Sequence, residues 1–133
     1  MTGARAGRRD NGDRRRNHDQ DPRSPDVITI DDVARLDLRV GTVRSARHHP
    51  DADRLLVLEV DLGEGEPRQL VAGIKTWYTP EGLVGRQVVV VANLQPATLR
   101  GVESRGMLLA VEDASGVCVL APERPVAPGS KVR

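Results

Sequence analysis

Aromatic residues are nearly missing from this sequence, which contains no Phe, one Trp and one Tyr. Its core must therefore be aliphatic, and a surface that stacks the bases of a single nucleic-acid strand on aromatic rings is disfavoured. The one cysteine, Cys118, excludes an internal disulfide and a cysteine metal cage, and it agrees with a reducing compartment. No apolar run approaches the roughly 18 residues of a membrane span, and no secretory signal is visible. We expect a cytoplasmic protein that does not enter a membrane.

A large charge excess is also absent, because the net charge of the whole chain is only +1. Residues 1–26 hold seven Arg and five Asp and almost nothing to bury, which predicts a solvated, disordered leader. Residues 27–133 carry 13 basic and 14 acidic residues, whereas a non-specific nucleic-acid binder is usually far more basic. Any RNA binding must therefore come from a local patch rather than from the charge of the whole protein.

Short apolar segments with a period of two dominate residues 27–133. Leu or Val occupies every second position from Leu56 to Leu62, which is the pattern of a half-buried strand. Thr29 and Thr79 are placed as side-chain caps of two short helices. The expected strands are 38–42, 56–62, 70–72, 86–91, 106–111 and 117–120. Short strands separated by turn signals predict an all-β protein, an OB-fold with a five-stranded Greek-key barrel, short helices and a C-terminal extension.

Two features could be taken for catalytic or metal-binding groups. Residues 48–53, with the sequence HHPDAD, form either a metal or acid–base site or a turn, and the turn is favoured because no distant His or Cys completes a metal shell. Cys118 alternates with Val117 and Val119, so we expect a small core residue rather than an activated nucleophile. With no phosphate-cradling glycine loop either, the sequence predicts no enzyme, no cofactor and no metal.

The most informative segment runs from Asn93 to Ala110, where polar and basic residues lie between two apolar strands. Such a surface on a small barrel is typical of binding rather than of catalysis. Four basic residues near polar turns are either ordinary solvated side chains or a patch that contacts phosphates: Arg54, Lys75, Arg100 and Arg105. Because aromatic platforms are scarce, a folded RNA that is recognised through shape, backbone and 2′-hydroxyl groups fits better than a single strand.

Several motifs together resemble the tRNA-binding domain family. Its members include the C-terminal extension of bacterial methionyl-tRNA synthetases and free-standing structure-specific tRNA-binding proteins. The resemblance is collinear over residues 28–133 and implies an OB-fold that grips the outer corner of the tRNA L-shape largely without regard to sequence. The matching motifs are 37–43 (DLRVGTV), 49–55 (HPDADRL), 71–74 (VAGI), 78–81 (YTPE), 89–94 (VVVANL), 99–110 (LRGVESRGMLLA) and 128–132 (PGSKV).

The resemblance also implies site residues and partners. The side chains that line the RNA surface would be those of Arg54, Asn93, Arg100, Ser104 and Met107. Bacterial members are typically homodimers, and residues 117–133 match their dimerising ending, so a homodimer with Cys118 near its interface is implied. The family usually has lysines where this chain has Gln95 and Thr98. Two phosphate contacts are therefore lost, and either the affinity for tRNA is lower or the Arg-rich leader compensates.

Two functions of different classes remain open. The first is a non-catalytic tRNA-binding module that works as a dimer and presents tRNA to an aminoacyl-tRNA synthetase. The second is a chaperone-like or protein-interaction dimer of the same fold with weak RNA binding, because a related branch of the family is considered to assist protein export. RNA binding should depend steeply on salt, whereas an apolar protein interface should not.

Overall fold

The computed structural model describes residues 26–133, so all of the predicted leader except Asp26 lies outside the described residues. The helices are α1 (Ile30–Ala34) and α2 (Pro80–Leu83). The strands are β1 (Leu38–His48), β2 (Leu56–Asp61), β3 (Arg68–Ala72), β4 (Gln87–Val91), β5 (Ala97–Leu99), β6 (Val102–Ser104), β7 (Met107–Leu108), β8 (Ala110–Asp113) and β9 (Gly116–Val119). Within this described part, no helix has the length and apolar character needed to cross a membrane.

Helix α1 precedes the barrel unit in the chain. The barrel unit spans Leu36–Arg133. Its capping is the one expected from the sequence. Thr29 Oγ1 accepts a hydrogen bond from the Asp32 N–H at 3.2 Å, and the Thr29 N–H donates to Asp32 Oδ2 at 3.0 Å. This reciprocal capping box fixes the start of the helix. The helix buries none of its residues, so capping rather than packing defines it.

Strand β1 organises the main sheet, whose order is β3-β2-β1-β4-β7, with every neighbouring pair antiparallel. Its first half pairs with β4 and its second half with β2, and the register shifts between Val43 and Ser45. A shift of this kind bends a strand and increases its twist, which lets one strand serve both sides of a curved sheet. Gly41 lies in this strand where a Cβ atom would collide with the side chains of Val60 and Leu62.

The sheet is nearly closed into a barrel by contacts between β3 and the chain around β6 and β7. The Arg105 N–H donates to the backbone oxygen of Gln69 at 2.9 Å, and the Gln69 side-chain amide donates to the backbone oxygen of Glu103 at 2.7 Å. The Val71 N–H donates to Ser104 Oγ at 3.0 Å. These bonds connect the two ends of the sheet order, so the predicted all-β fold with a five-stranded barrel is confirmed.

The core is aliphatic, as the scarcity of aromatic residues requires. Every second residue from Leu56 to Leu62 is buried, together with apolar residues of β3 and β4 and Leu83 of α2. Tyr78 packs at the margin of this core, and its hydroxyl oxygen accepts a hydrogen bond from the Val119 N–H at 3.0 Å. The β8–β9 hairpin is thereby anchored to the barrel.

The C-terminal extension folds back on the first half of β1. The Gly129 N–H donates to the backbone oxygen of Val40 at 2.7 Å, and the Val40 N–H donates to that of Ser130 at 2.9 Å. Further upstream, Gln87 uses its side-chain amide to bond both the backbone N–H and the backbone oxygen of Val126. The extension therefore completes the edge of β1 within the chain.

The structure corrects two expectations, and it adds the β5–β6 hairpin within the polar segment between the two apolar strands. The chain from 106 to 111 is not one strand, because it changes partner between β7, which pairs with β4, and β8, which pairs with β9. Cys118 was expected in the core and is exposed, because the inward positions of β9 are taken by Val117 and Val119.

Candidate nucleic-acid interface

The β5–β6 hairpin forms one wall of the candidate interface. Leu99 pairs with Val102, so Arg100 and Gly101 form a two-residue turn, and both have positive φ, 53° and 89°. Positive φ at both central positions is the geometry of a type I′ turn, which usually takes Asn or Gly. Left-handed backbone costs a residue with a side chain about 1–2 kcal/mol, so Arg100 needs compensating contacts. Its side chain makes them with the loop between β1 and β2.

Two hydrogen bonds attach the tip of the hairpin to that loop. Arg100 Nη2 donates to the backbone oxygen of Asp51 at 3.1 Å, and His49 Nε2 lies 2.9 Å from the backbone oxygen of Leu99. The Asp51 N–H donates to His49 Nδ1 at 2.9 Å, so His49 is the neutral tautomer with its hydrogen on Nε2. His48 ends β1 and residues 49–53 form the predicted turn, which the buried His49 couples to the hairpin.

Arg54 and Arg100 both line a shallow pocket of about 370 Å³, called here the basic pocket. Its other lining residues are Asp51, Ala52, Asp53 and Leu55. The Lys75 N–H donates to the backbone oxygen of Arg54 at 3.3 Å. A third basic residue is therefore bonded to a residue that lines the pocket. Two guanidinium groups at one opening can bind phosphate oxygens with their planar donor forks. The two carboxylates limit the net charge, which agrees with the near-neutral composition.

An apolar groove of about 290 Å³ adjoins the hairpin on its other side. Leu99 lines this groove and Arg100 lines the basic pocket, so the two surfaces meet at the hairpin tip. Met107 is 50% exposed and Leu94 is 48% exposed, which shows that the apolar walls are open to a ligand. The groove is lined by Val71, Ala72, Gly73, Ile74, Leu94, Gln95, Ala97, Leu99, Ser104, Gly106, Met107, Leu108 and Ala110.

Ser104 lines the groove, but it is only 5% exposed and its hydroxyl is occupied inside the protein. Its oxygen accepts the Val71 N–H at 3.0 Å and its hydrogen is donated to the backbone oxygen of Gly106 at 3.0 Å. A buried hydroxyl with both bonds made has little left to offer a ligand. The observed geometry gives Ser104 the role of fixing the position of β6 against β3.

Asn93 lies two residues after the end of β4 and one residue before the groove residue Leu94. Its side-chain oxygen accepts a hydrogen bond from the Asp37 N–H at 3.0 Å. The Asp37 carboxylate in turn accepts from Arg39 at 2.9 Å and lies 3.5 Å from Lys131 Nζ. The hydrogen bond from Arg39, with the charges of both cations, holds the pKa of Asp37 below its usual value of 3.8. Asn93 therefore belongs to the border of the site and connects it to this charged cluster.

The five predicted residues thus fall into three places. Arg54 and Arg100 share the basic pocket, Ser104 and Met107 share the apolar groove, and Asn93 stands at the border. Sequence analysis missed the apolar walls Leu94 and Leu99, although both interrupt an otherwise polar segment, which was the available signal. Among the described residues, no group of three or more His, Cys, Asp or Glu is arranged to hold a metal ion.

Comparisons with known proteins add to this geometry. The family model described as "Putative tRNA binding domain" matches residues 38–131. The methionine–tRNA ligase of Thermococcus kodakarensis is 52% identical over 108 residues, which cover 81% of this chain and 14% of the ligase. This chain therefore spans only a small part of the curated relatives that it matches.

Two solved structures match over nearly their whole length. A MetRS-related protein from Pyrococcus horikoshii has a TM-score of 0.74 and 33% identity, and the match covers 80% of this chain and 98% of that protein. The chaperone CsaA from Bacillus anthracis has a TM-score of 0.72 and 35% identity, with 80% of this chain and 99% of the chaperone covered. One neighbour is thus named for a relation to a synthetase and the other for a chaperone.

Proposed function

This chain belongs to the tRNA-binding domain family, and from that membership we propose that it is a non-catalytic module that binds folded tRNA. It grips the outer corner of the tRNA by shape and largely without regard to base sequence. The observation that carries this proposal is Arg100, which has a left-handed conformation at the tip of a hairpin and lines the basic pocket together with Arg54. Backbone strain at an exposed basic residue is typical of a functional position.

The two surfaces at the hairpin tip suit different parts of an RNA. Arg54 and Arg100 offer planar guanidinium donors, which match the oxygens of backbone phosphates. Phosphate contacts position a protein on the nucleic acid but carry no base information, which fits recognition by shape. The apolar groove suits ribose carbons and the flat faces of exposed bases. Met107 and Leu94 supply this contact without aromatic rings.

The proposal includes partners that depend on the family relation. A methionyl-tRNA synthetase is the candidate recipient of the bound tRNA, because the ligase of Thermococcus kodakarensis contains a region 52% identical to this chain. We place the protein in the cytoplasm, where tRNA is charged. We also propose a homodimer in which residues 117–133 and Cys118 lie near the interface, and Cys118 is exposed as that role requires.

A second function is supported by one observation. The apolar groove is open, and the pocket beside it is lined by two arginines but also by two aspartates. An apolar surface of this kind also accepts the side chains of an extended polypeptide, which would give a chaperone-like protein-interaction module. The likeness to the chaperone CsaA favours this alternative. Its binding energy would come from apolar burial and would change little with salt, in contrast to RNA binding.

A titration of labelled, folded tRNA at several salt concentrations tests the proposal. The tRNA module predicts that log Kd changes linearly with log salt and that a single-stranded RNA of equal length binds more weakly. Arg100→Ala should then lower both the affinity and the salt slope. An absence of tRNA binding even at low salt, with salt-independent binding of an unfolded protein, would select the chaperone-like alternative.

A further inference from the structure

Arg68 is a charged residue that sequence analysis did not single out, and it lies behind the interface. It begins β3, and only 16% of its side chain is exposed. Nη1 donates to two backbone oxygens, those of Ala92 and of Arg105, the latter at 3.1 Å. Nη2 donates to Glu64 Oε2 at 2.6 Å. Both terminal nitrogens are therefore occupied by protein acceptors, whereas the buried Nε has no partner among the described residues.

The two backbone oxygens belong to the two segments that form opposite parts of the apolar groove. Ala92 directly follows β4 and is followed after one residue by the groove residues Leu94 and Gln95. Arg105 lies between Ser104 and Gly106, which both line the groove. One planar group thus bridges two chain segments that are not paired with each other at this point. Both bonds come from Nη1, so the planar geometry of this one nitrogen sets how far apart the two segments lie.

We propose that Arg68, itself held by Glu64, is the positioning residue of the interface, and that it sets the distance between the two groove walls without touching RNA. The inference rests on the proposed tRNA binding. Lysine does not replace it, because its one ammonium nitrogen would have to bind the two carbonyls and the carboxylate that Nη1 and Nη2 bind separately. Glu64 is needed because it holds the guanidinium from the outer side at an ion-pair distance of 2.6 Å.

Glu64 makes a sharp test possible. An electrostatic role and a positioning role predict opposite changes in tRNA affinity when Glu64 is replaced. Removing an anion from a protein that binds a polyanion normally strengthens binding. If Glu64 acts by holding Arg68, Glu64→Ala must instead weaken binding. Glu66 provides the matched control, because it lies exposed in the same turn between β2 and β3 and carries the same charge.

The experiment measures the Kd of folded tRNA for the full chain with Glu64→Ala, Glu66→Ala and Arg68→Lys over a range of salt. We expect Glu64→Ala to weaken binding by roughly three- to tenfold, which corresponds to about 0.6–1.4 kcal/mol. Glu66→Ala should bind as well as the wild type or slightly better. Arg68→Lys should weaken binding with an unchanged salt slope, because Arg68 contacts no phosphate.

A stability control and two contrary outcomes make the inference refutable. Val88→Ala removes part of a fully buried side chain of β4 and serves as a control for lost stability, since a folded protein with this change should keep its tRNA affinity. Tighter binding by Glu64→Ala, or a smaller salt slope for Arg68→Lys, would overturn the positioning role while tRNA binding stands. If the wild type itself fails to bind tRNA, the proposed function fails instead.

Discussion

His49 Nε2 lies 2.9 Å from the backbone oxygen of Leu99, and this contact joins the β1–β2 loop to the hairpin that carries the candidate interface. The imidazole is 5% exposed and also accepts the Asp51 N–H through Nδ1. Both ring nitrogens are thus used to hold backbone. Arg54 lies in the β1–β2 loop and Arg100 lies at the tip of the hairpin. Because the contact joins these two segments, both residues line the same pocket.

The first prediction concerns this contact. His49→Ala leaves the Leu99 carbonyl and the Asp51 N–H without their partner, and an unsatisfied buried group costs about 1–3 kcal/mol. We expect the free energy of unfolding to fall by that order and tRNA affinity to fall with it. Urea unfolding measures the first effect and a tRNA titration the second. His48→Ala, at the neighbouring exposed position, should change neither, and equal effects at both positions would argue against the coupling.

A change at Arg100 should lower tRNA binding while leaving stability nearly unchanged. Arg100→Gly relieves the left-handed strain at φ 53° but removes the bond to Asp51, so the free energy of unfolding should stay within about 1 kcal/mol of the wild-type value. The affinity for tRNA should nevertheless decrease, with the salt slope reduced by roughly one unit for the lost phosphate contact. Arg44→Ala removes the same charge from β1, where Arg44 pairs with Asp61, and is the control. An unchanged slope in Arg100→Gly would remove Arg100 from the interface.

Gln95 and Thr98 stand where the family usually has lysines, and both are exposed. Gln95 lines the apolar groove, and Thr98 lies on β5. Gln95→Lys combined with Thr98→Lys should therefore tighten tRNA binding and steepen the salt slope by roughly one unit for each new phosphate contact. Val84→Lys adds one charge at an exposed position after α2 and tests whether added net charge alone tightens tRNA binding. Equal gains from Val84→Lys would mean that the site has no local electrostatic focus.

Acid should weaken the cluster around Asp37. Its pKa is lowered, mainly by the hydrogen bond from Arg39, so the ionised carboxylate favours the folded state. This contribution is complete above the ordinary pKa of 3.8 and is lost as the pH falls through the lower folded-state value. Asp37→Asn should therefore reduce the free energy of unfolding at neutral pH. When the pH is lowered to about 3, that free energy should fall less in the variant than in the wild type. Urea unfolding at both pH values measures this difference, and parallel losses in the two proteins would contradict it.

Much of the barrel could be predicted from periodicity and turn chemistry. The alternation from Leu56 to Leu62 marks the inner face of β2, and Thr29 and Thr79 cap the two helices as expected. The register shift after Val43 and the change of partner between β7 and β8 could not be predicted, because they depend on which strands meet in space. For the same reason the exposure of Cys118 contradicted an expectation based on alternation within one strand.

The site was predicted in composition but not in arrangement. Basic residues in turns and the family motifs indicated Arg54 and Arg100, yet only the fold brings them into one pocket. Ser104, which the family resemblance assigns to the RNA surface, is buried and makes both hydroxyl bonds inside the protein. The role of Arg68 was invisible in the sequence, since its partners Ala92 and Arg105 are backbone groups that lie 24 and 37 residues away.

The central claim is that this module recognises the shape of folded tRNA, and one comparison tests it most directly. The Kd is measured for a tRNA and for the same tRNA with base substitutions that abolish the tertiary contacts of its corner, so that length and charge are equal. The account predicts that the loss of the corner weakens binding by roughly tenfold or more, which corresponds to about 1.4 kcal/mol. Equal binding of the two RNAs would contradict recognition by shape and leave only attraction to the phosphate backbone.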